Sequence, residues 1–272
     1  MKSNALLTWA SVGLALCLAL ADSAAAQSAR TSQTSSRLLL PLYEVEAGNF
    51  SGTTTLLAVR NESLESVTVN LLYYEPDSPQ APQRTDTITL GAKAIQTINV
   101  RDVPNLEVGP DGFARGYVIV ESVGGASVLH GDYFRVTPGD AFATGYRLVD
   151  VDTSGGENEL CSTFSIRFLN GGAFTGGTDF VIWIDADEIP TSPTTVSYSL
   201  YSEDGGGGTP LFTSTLPINE VVSSFSADQL IGSLAVNFGA VEFQLSGVQG
   251  HIAATMSASG LFSVGLEATC RD

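Results

Sequence analysis

From Leu38 onward, apolar residues come in short runs, many of them alternating with polar residues and separated by Gly, Pro, Asn and Asp. Val67, Val69, Leu71 and Tyr73 alternate with Thr68, Asn70 and Leu72, as in a β-strand that buries one face. No later run has the period of an amphipathic helix. The pattern predicts an all-β protein, with first-half strands near residues 38–45, 54–60, 66–75, 85–90, 94–100, 115–122, 126–136 and 141–149.

The second half of the chain repeats the first. The segment from Phe50 to Asn61 reappears, without a gap, as Phe174 to Asp185. Further along, Val196, Tyr198 and Leu200 are predicted to follow Val67, Val69 and Leu71 in the order of strands. A repeat of this length is too long for a solenoid unit and predicts tandem domains from an internal duplication. The predicted bounds are 37–150 for domain 1, 151–160 for a solvated linker and 161–272 for domain 2.

Short strands at this density predict a β-sandwich in each half. The run from Thr53 to Asn61, followed by a short loop and the run from Val67 to Tyr73, resembles the second and third strands of bacterial immunoglobulin-like modules. The resemblance covers both halves and implies two tandem immunoglobulin-like β-sandwich domains, as in secreted bacterial proteins of unknown role. It implies no activity. The chain lacks a Cys–Cys pair and a Trp in immunoglobulin register, so the resemblance concerns the sandwich architecture.

The first 26 residues have the pattern of a signal peptide. Lys2 provides a positive start, the segment from Ala5 to Leu20 is mostly apolar, and Ala24-Ala25-Ala26 provides small residues for cleavage. Residues 27–36 are polar and predict a flexible leader. We therefore expect a bacterial protein that is secreted or periplasmic, with no membrane span after signal cleavage.

The charge balance limits the classes of partner. The chain has 12 Lys and Arg residues against 29 Asp and Glu residues, a formal net charge of −17. Such a surface repels nucleic acid and anionic lipid, because each phosphate contact needs a cation. We expect a protein or a glycan as the ligand, and no nucleic acid.

Two cysteines, Cys161 and Cys270, remain after Cys17 leaves with the signal peptide. They lie at the two ends of the second half. In an oxidising compartment this placement predicts a disulfide that ties the first strand of domain 2 to the last.

The residues that usually carry catalysis are sparse. His130 and His251 are the two histidines, and they fall at nearly corresponding places in the two halves. The sequence has no Gly-x-Ser-x-Gly elbow, no His-x-x-x-His and no Cys-x-x-Cys. We therefore predict a protein that is not an enzyme and has no resident cofactor, with each histidine at the end of a strand.

Calcium is the one metal that the sequence leaves open, because it prefers carboxylate and carbonyl oxygens. Asp150, Asp152 and Ser154 match the first, third and fifth positions of a calcium loop, but Cys161 stands where the bidentate Glu should be. Asp185 and Asp187 form a second acidic group. All five residues are candidate calcium ligands. The alternative interpretation is that they lie in solvated loops and bind no metal.

The function predicted from these patterns is a secreted, non-enzymatic structural or interaction protein that binds other proteins or envelope components through sheet edges or loops. The alternative is a carbohydrate- or calcium-binding module. An enzyme with two carboxylates about 5–10 Å apart is the third possibility. For Phe50-Ser51-Gly52-Thr53 we predict a turn in which Gly provides a positive φ and Phe50 plugs the end of the sandwich.

Overall fold

The chain folds mainly into antiparallel β-strands, as the alternating pattern predicts. The computed structural model describes residues 34–78, 80–137, 142–155, 158–170, 177–185, 194–202, 208–218, 220–232, 237–258 and 262–271. The predicted signal peptide and most of the predicted leader lie outside the described residues.

In the first half, the described residues form nine strands. The first seven lie close to the predicted bounds, and the predicted strand 141–149 is divided into two strands that belong to different sheets. The nine strands are β1 (Arg37–Glu46), β2 (Thr54–Asn61), β3 (Val67–Tyr74), β4 (Arg84–Leu90), β5 (Ile95–Asn99), β6 (Phe113–Ser122), β7 (Leu129–Thr137), β8 (Phe142–Arg147) and β9 (Val149–Asp150). A single 3-10 turn at Val100–Asp102 follows β5, and Asn99 caps it by accepting a hydrogen bond from the backbone N–H of Arg101.

The described residues of the second half form another nine strands. They are β10 (Thr163–Leu169), β11 (Gly177–Ile184), β12 (Thr194–Ser202), β13 (Phe212–Ile218), β14 (Val222–Ser226), β15 (Phe238–Leu245), β16 (Gly250–Ala258), β17 (Phe262–Glu267) and β18 (Thr269–Cys270). A five-residue helix, α1 (Ala227–Ile231), follows β14 at the place where the 3-10 turn follows β5. Ser226 caps this helix in a capping box with Gln229.

Each half consists of a large sheet and a small sheet packed on each other. The large sheets have the orders β4-β3-β6-β1-β9 and β13-β12-β15-β10-β18, and the small sheets β5-β2-β7-β8 and β14-β11-β16-β17. The second-half order is therefore the first-half order with every strand number raised by nine. Each half buries its own apolar core, around Leu57 and Val118 in the first half and around Phe180 and Phe243 in the second.

Local contacts identify equivalent positions in the two halves. A Cβ at Gly116 in β6 would overlap the carbonyl oxygen of Tyr74, and a Cβ at Gly239 in β15 would overlap that of Tyr201. Only glycine allows the neighbouring strand this close, so the two glycines occupy the same place. Gly116 therefore corresponds to Gly239.

In the small sheets, a pair of hydrogen bonds also identifies equivalent positions. The hydroxyl of Thr55 accepts from the N–H of Glu44 at 2.9 Å and donates to its carbonyl oxygen at 3.2 Å. The hydroxyl of Thr178 makes the same pair of bonds with Leu169, both at 2.9 Å. Thr55 therefore corresponds to Thr178, and the ungapped alignment, which matches it with Asp179, is wrong by one residue.

The predicted match of β3 with β12 is also wrong, here by two residues. Leu71 pairs with Val120, and Tyr198 pairs with Phe243. Because Gly116 corresponds to Gly239, Val120 corresponds to Phe243. Leu71 therefore corresponds to Tyr198 rather than to Leu200. A slip of two residues keeps every side chain on its own face, so alternation alone cannot detect it.

The two halves meet in an apolar cluster, which we call the junction cluster. Its buried members are Leu39, Tyr117, Ile119, Val149, Val151, Leu160, Trp183, Val221 and Val222. In the first half they come largely from the outer face of the large sheet, and in the second from the outer face of the small sheet. The ring of Tyr117 stacks on Tyr74 at 4.8 Å and meets Trp183 edge-on at 6.2 Å.

Polar contacts reinforce the junction. The carbonyl oxygen of Pro76, in the loop after β3, accepts hydrogen bonds from the N–H groups of Val221 at 2.7 Å and Val222 at 3.3 Å. Thr144 in β8 donates to Ser263 in β17 at 2.5 Å. Together with the cluster, these bonds place both halves in one compact unit, Ser35–Asp272.

The segments predicted to be solvated or flexible are partly packed. Val151 and Leu160, at the two ends of the predicted linker, are buried in the junction cluster. Ser35 and Ser36, at the end of the predicted leader, are also buried, and Ser35 forms a β-bridge with Leu129. These residues depart from the predictions because polar composition does not show when a short segment lies against a sheet.

Candidate functional site

The most distinctive exposed feature lies at one end of the first-half sandwich. Residues 47–53 connect β1 to β2, and we call them the Phe50 loop. The side chain of Phe50 is 84% exposed. The prediction that Phe50 plugs the end of the sandwich is therefore wrong, because its ring lies in solvent rather than between the sheets.

Arg101 holds the Phe50 loop in place. Its guanidinium donates to the carbonyl oxygens of Phe50 at 2.8 Å, Gly52 at 2.8 Å and Thr53 at 3.0 Å. A rigid, planar donor group that satisfies three carbonyls fixes the backbone on both sides of the exposed ring. The sequence did not single out Arg101, although a cation directly after a short strand in so acidic a chain is a usable signal.

The turn predicted here exists, but its glycines act differently from the prediction. Gly48 adopts the positive φ, at +76°. Gly52 has no positive φ, and a Cβ there would meet the carboxylate of Glu46, the end of a flexible side chain that can move aside. Asn49 accepts a hydrogen bond from the N–H of Ser51 at 3.1 Å and closes the turn.

A second loop lies beside the Phe50 loop. The N–H of Ala47 donates to the carbonyl oxygen of Gly112 at 2.9 Å, which joins the Phe50 loop to the turn before β6. Val108, just before that turn, is also exposed. We call the Phe50 loop and residues 108–112 together the loop-end surface, which displays apolar side chains on an ordered backbone.

The two histidines occupy equivalent positions, as predicted. His130 pairs with Arg60 in the first half, and His251 pairs with Trp183 in the second. Their strands, β7 and β16, belong to the small sheets of different halves. The structure therefore does not bring the histidines together in one site.

The first group of calcium candidates follows β9. The Asp150 carboxylate accepts from the hydroxyl of Ser35 at 2.6 Å, and burial raises the pKa of Asp150. Hydrogen bonds from Ser154 and Ser36 lower the pKa of Asp152. These contacts describe a hydrogen-bonded turn, and the N–H of Ser154 donates to Asp152 at 2.9 Å.

The second group of calcium candidates is only partly described. Asp185 follows β11, and its N–H donates to the carbonyl oxygen of Gln249 at 3.0 Å. Asp187 lies outside the described residues. Across the described ranges, no group of three or more His, Cys, Asp or Glu residues could hold a metal ion.

The tyrosines considered as a sugar-binding face are engaged in packing. Tyr73 is fully buried in the first-half core, and its neighbour Tyr74 points to the opposite face, where it stacks on Tyr117. Tyr198 is buried, and its hydroxyl donates to the carbonyl oxygen of Leu230 at 3.0 Å. None of these three rings forms an exposed aromatic platform.

The predicted disulfide is present. Cys161 and Cys270 are bonded, with their Cα atoms 5.9 Å apart. Beside the bond, Cys270 pairs with Phe164 across β18 and β10. The bridge therefore fixes the short last strand to the edge of the large sheet.

One acidic pair was not predicted. Partial burial together with the neighbouring carboxyl group of Glu107 raises the pKa of Glu75. Gln83 supports the pair, since its amide oxygen accepts from the N–H of Glu107 at 2.9 Å and its amide nitrogen donates to Tyr43 at 2.8 Å. Glu75 precedes Pro76, so the pair lies next to the junction.

No family model matches the chain, and no curated protein matches it in sequence. Within the part of the chain that the structure describes, no helix has the length and apolar character needed to cross a membrane.

Proposed function

We propose that this chain is an exported, non-enzymatic interaction protein, built from two immunoglobulin-like domains that arose by duplication, and that it binds another protein through the loop-end surface. The observation that carries the proposal is the exposed ring of Phe50 on a backbone fixed by Arg101. The matching strand orders of the two halves support the duplication.

The physical argument concerns the entropy of binding. Ordering a mobile loop on binding lowers affinity, whereas a loop that is already fixed loses little conformational freedom. An aromatic ring offers a large contact area with few rotatable bonds, which is why such rings often dominate binding energy at interfaces. Phe50 combines the two properties, and the joined turn at Gly112 extends the surface.

A pair of matched variants tests this proposal. Phe50→Ser removes the exposed ring, and Leu64→Ser removes an equally exposed apolar side chain, 82% exposed, from the loop at the other end of β2. Immobilised wild type and both variants are incubated with envelope and medium fractions of the producing organism, and bound proteins are crosslinked and identified by mass spectrometry.

The expected result is that one or more proteins are retained by the wild type and Leu64→Ser but lost, at least tenfold, with Phe50→Ser. Circular dichroism and melting temperature are measured to show that all three proteins are equally folded. Equal retention by Phe50→Ser would contradict a role for the loop-end surface.

The alternative function, a carbohydrate- or calcium-binding module, stays a prediction. Thermal scans with calcium and with a glycan array test it directly. A rise in melting temperature with calcium that disappears in Asp152→Asn would favour that alternative over the interaction protein.

A further inference from the structure

The junction uses one type of face from each half. The first half contributes the outer face of its large sheet, through Leu39, Tyr117 and Ile119, and the second half contributes the outer face of its small sheet, through Trp183 and Val222. Because the strand orders are the same, each of these faces has an equivalent in the other half that lies outside the junction. Two copies of the chain could in principle stack head to tail through those equivalents, and repetition of such a contact gives open chains.

The register of the sheets shows which residues stand at the equivalent positions. In the large sheet, Gly116 corresponds to Gly239, so Tyr117 corresponds to Ala240 and Ile119 to Glu242. Ile119 is buried in the junction, whereas Glu242 is ion-paired with Arg271 at 3.6 Å.

The neighbouring strands show the same change. Leu38 and Phe164 pair with corresponding residues on both neighbouring strands of their sheets, so these two residues are equivalent. The residues that follow them, Leu39 and Ser165, are therefore equivalent as well. Leu72 corresponds to Ser199, because each follows directly after the equivalent residues Leu71 and Tyr198. Four apolar junction positions of the large sheet thus carry Ser, Ser, Ala and Glu in the second half, and none of these four side chains is buried.

The small sheet changes in the same sense at its central strands, whereas Val222, which pairs with Trp183, corresponds to Ile95, an exposed apolar residue that pairs with Arg60. Because Thr55 corresponds to Thr178, Arg60 corresponds to Trp183 five residues later. The strand pairing supports this match, since Arg60 pairs with His130 and Trp183 pairs with His251. Trp183 is buried in the junction, whereas Arg60 is exposed and forms an ion pair with Glu62 at 2.9 Å. Asp132 stands at the position of Ala253.

We propose that these two outward faces are end caps, so that stacking through this type of interface stops at two halves and a second copy of the chain is excluded. Repeating the junction would bury Arg60 and Glu242 at positions occupied by Trp and Ile. Burial of charged groups and hydroxyls without matched partners is unfavourable. Terminal units of repeat proteins have polar outer faces for the same reason. The proposal does not depend on the function proposed above.

Complementary variants test the caps. A large-face variant restores the junction residues at their equivalents, with Ser165→Leu, Ser199→Leu, Ala240→Tyr and Glu242→Ile. A small-face variant carries Arg60→Trp and Asp132→Ala. Sedimentation velocity of the full mature chain at micromolar concentration measures the wild type, each variant alone, each variant with the wild type, and the equimolar mixture of the two variants.

The proposal expects a monomeric wild type, monomeric single variants, and a 1:1 complex in the mixture that binds at least tenfold more tightly than either variant binds the wild type. A chain with all six substitutions should form a ladder of head-to-tail oligomers. If the large-face variant does not fold, Glu242→Ile alone with the small-face variant gives a weaker form of the same comparison.

Three results would overturn the proposal. The first is a wild type that already self-associates and dissociates on Glu242→Arg. The second is a mixture of folded variants that stays monomeric. The third is a large-face variant that self-associates as strongly alone as with its partner, since the new apolar face would then be adhesive rather than complementary.

Discussion

At the scale of single residues, the buried amide of Asn61 organises the end of β2. Its nitrogen donates to the carbonyl oxygens of Glu65 at 2.6 Å and Gly91 at 2.9 Å, and its oxygen accepts from the N–H of Ser63 at 2.8 Å. One side chain thus joins the loop after β2 to the loop after β4. The Asn61 side chain is itself fully buried, so these hydrogen bonds offset the loss of its contacts with water.

Replacing Asn61 should therefore be costly. Asn61→Ala removes these three hydrogen bonds from a buried side chain, and we expect a loss of about 2–3 kcal/mol in the free energy of unfolding. Urea denaturation measures the change. Asn70→Ala, which removes only an exposed bond from Thr87, is the control and should lie within about 0.5 kcal/mol of the wild type. Equal effects of the two substitutions would contradict this account of Asn61.

The Glu75–Glu107 pair should make stability depend on pH. The pKa of Glu75 is raised in the folded protein, so the stabilisation from its protonated form is complete below the unfolded carboxyl pKa and is lost as pH rises through the folded pKa. In Glu107→Gln the amide can donate to Glu75 whether or not the acid is ionised.

We expect Glu107→Gln to melt at about the wild-type temperature near pH 4 and roughly 2–4 °C higher near pH 7, because a solvent-screened pair contributes at most about 1 kcal/mol. Melting curves across this pH range check the result. Glu65→Gln, in an exposed loop, should show no pH-dependent difference. A constant offset between Glu107→Gln and the wild type would argue against an effect of Glu107 on the pKa of Glu75.

At the scale of elements, the last strands of the two halves differ in how they are held. The two-residue strand β9 continues into the packed linker, whereas β18 contains a cysteine of the disulfide. The disulfide restrains β18, since it joins β18 to the segment that leads into β10.

Removal of the disulfide by Cys161→Ser with Cys270→Ser should destabilise the second half selectively. The cysteines are separated by 109 residues, and closure of such a loop is worth about 4–5 kcal/mol at most. Hydrogen exchange followed by mass spectrometry should show faster exchange in β18 and β10, with β1 unchanged. Protection that stays the same in β18 would contradict its dependence on the bridge.

At the scale of the whole molecule, the junction cluster decides how the halves behave. Tyr117 and Trp183 are almost fully buried there, and the Pro76 carbonyl joins the two backbones. Inter-domain contacts that are large and apolar suppress independent motion. We therefore expect the halves to unfold together and to keep one relative orientation.

Trp183→Ala tests this coupling. Deletion of a buried indole should lower the free energy of unfolding by about 3–5 kcal/mol and split one calorimetric transition into two, because the halves lose their shared core. Leu211→Ala, at an exposed apolar side chain of the second half, should keep a single transition near the wild-type temperature. A single, merely lower transition in Trp183→Ala would show that the cluster stabilises the molecule without coupling the halves.

Much of the fold and little of the candidate site could be predicted from the sequence. Alternation located the strands of the first half within a few residues, since burial of one face imposes a period of two. It could not show that Phe50 is exposed, because exposure of a phenylalanine depends on whether a neighbouring sheet covers it. The role of Arg101 likewise depends on contacts between segments about fifty residues apart.

By itself, the sequence determined the all-β class, most strand bounds of the first half and the Cys161–Cys270 pair, because these follow from local periodicity and from the small number of thiols. Only the tertiary structure decided the register of equivalent strands and the partner of each apolar face. The run Leu38-Leu39-Leu40 signals burial on both faces of β1, but no local pattern says that Trp183 covers one of them. Periodicity encodes which side chains avoid water, whereas the surface that excludes the water belongs to a distant part of the chain.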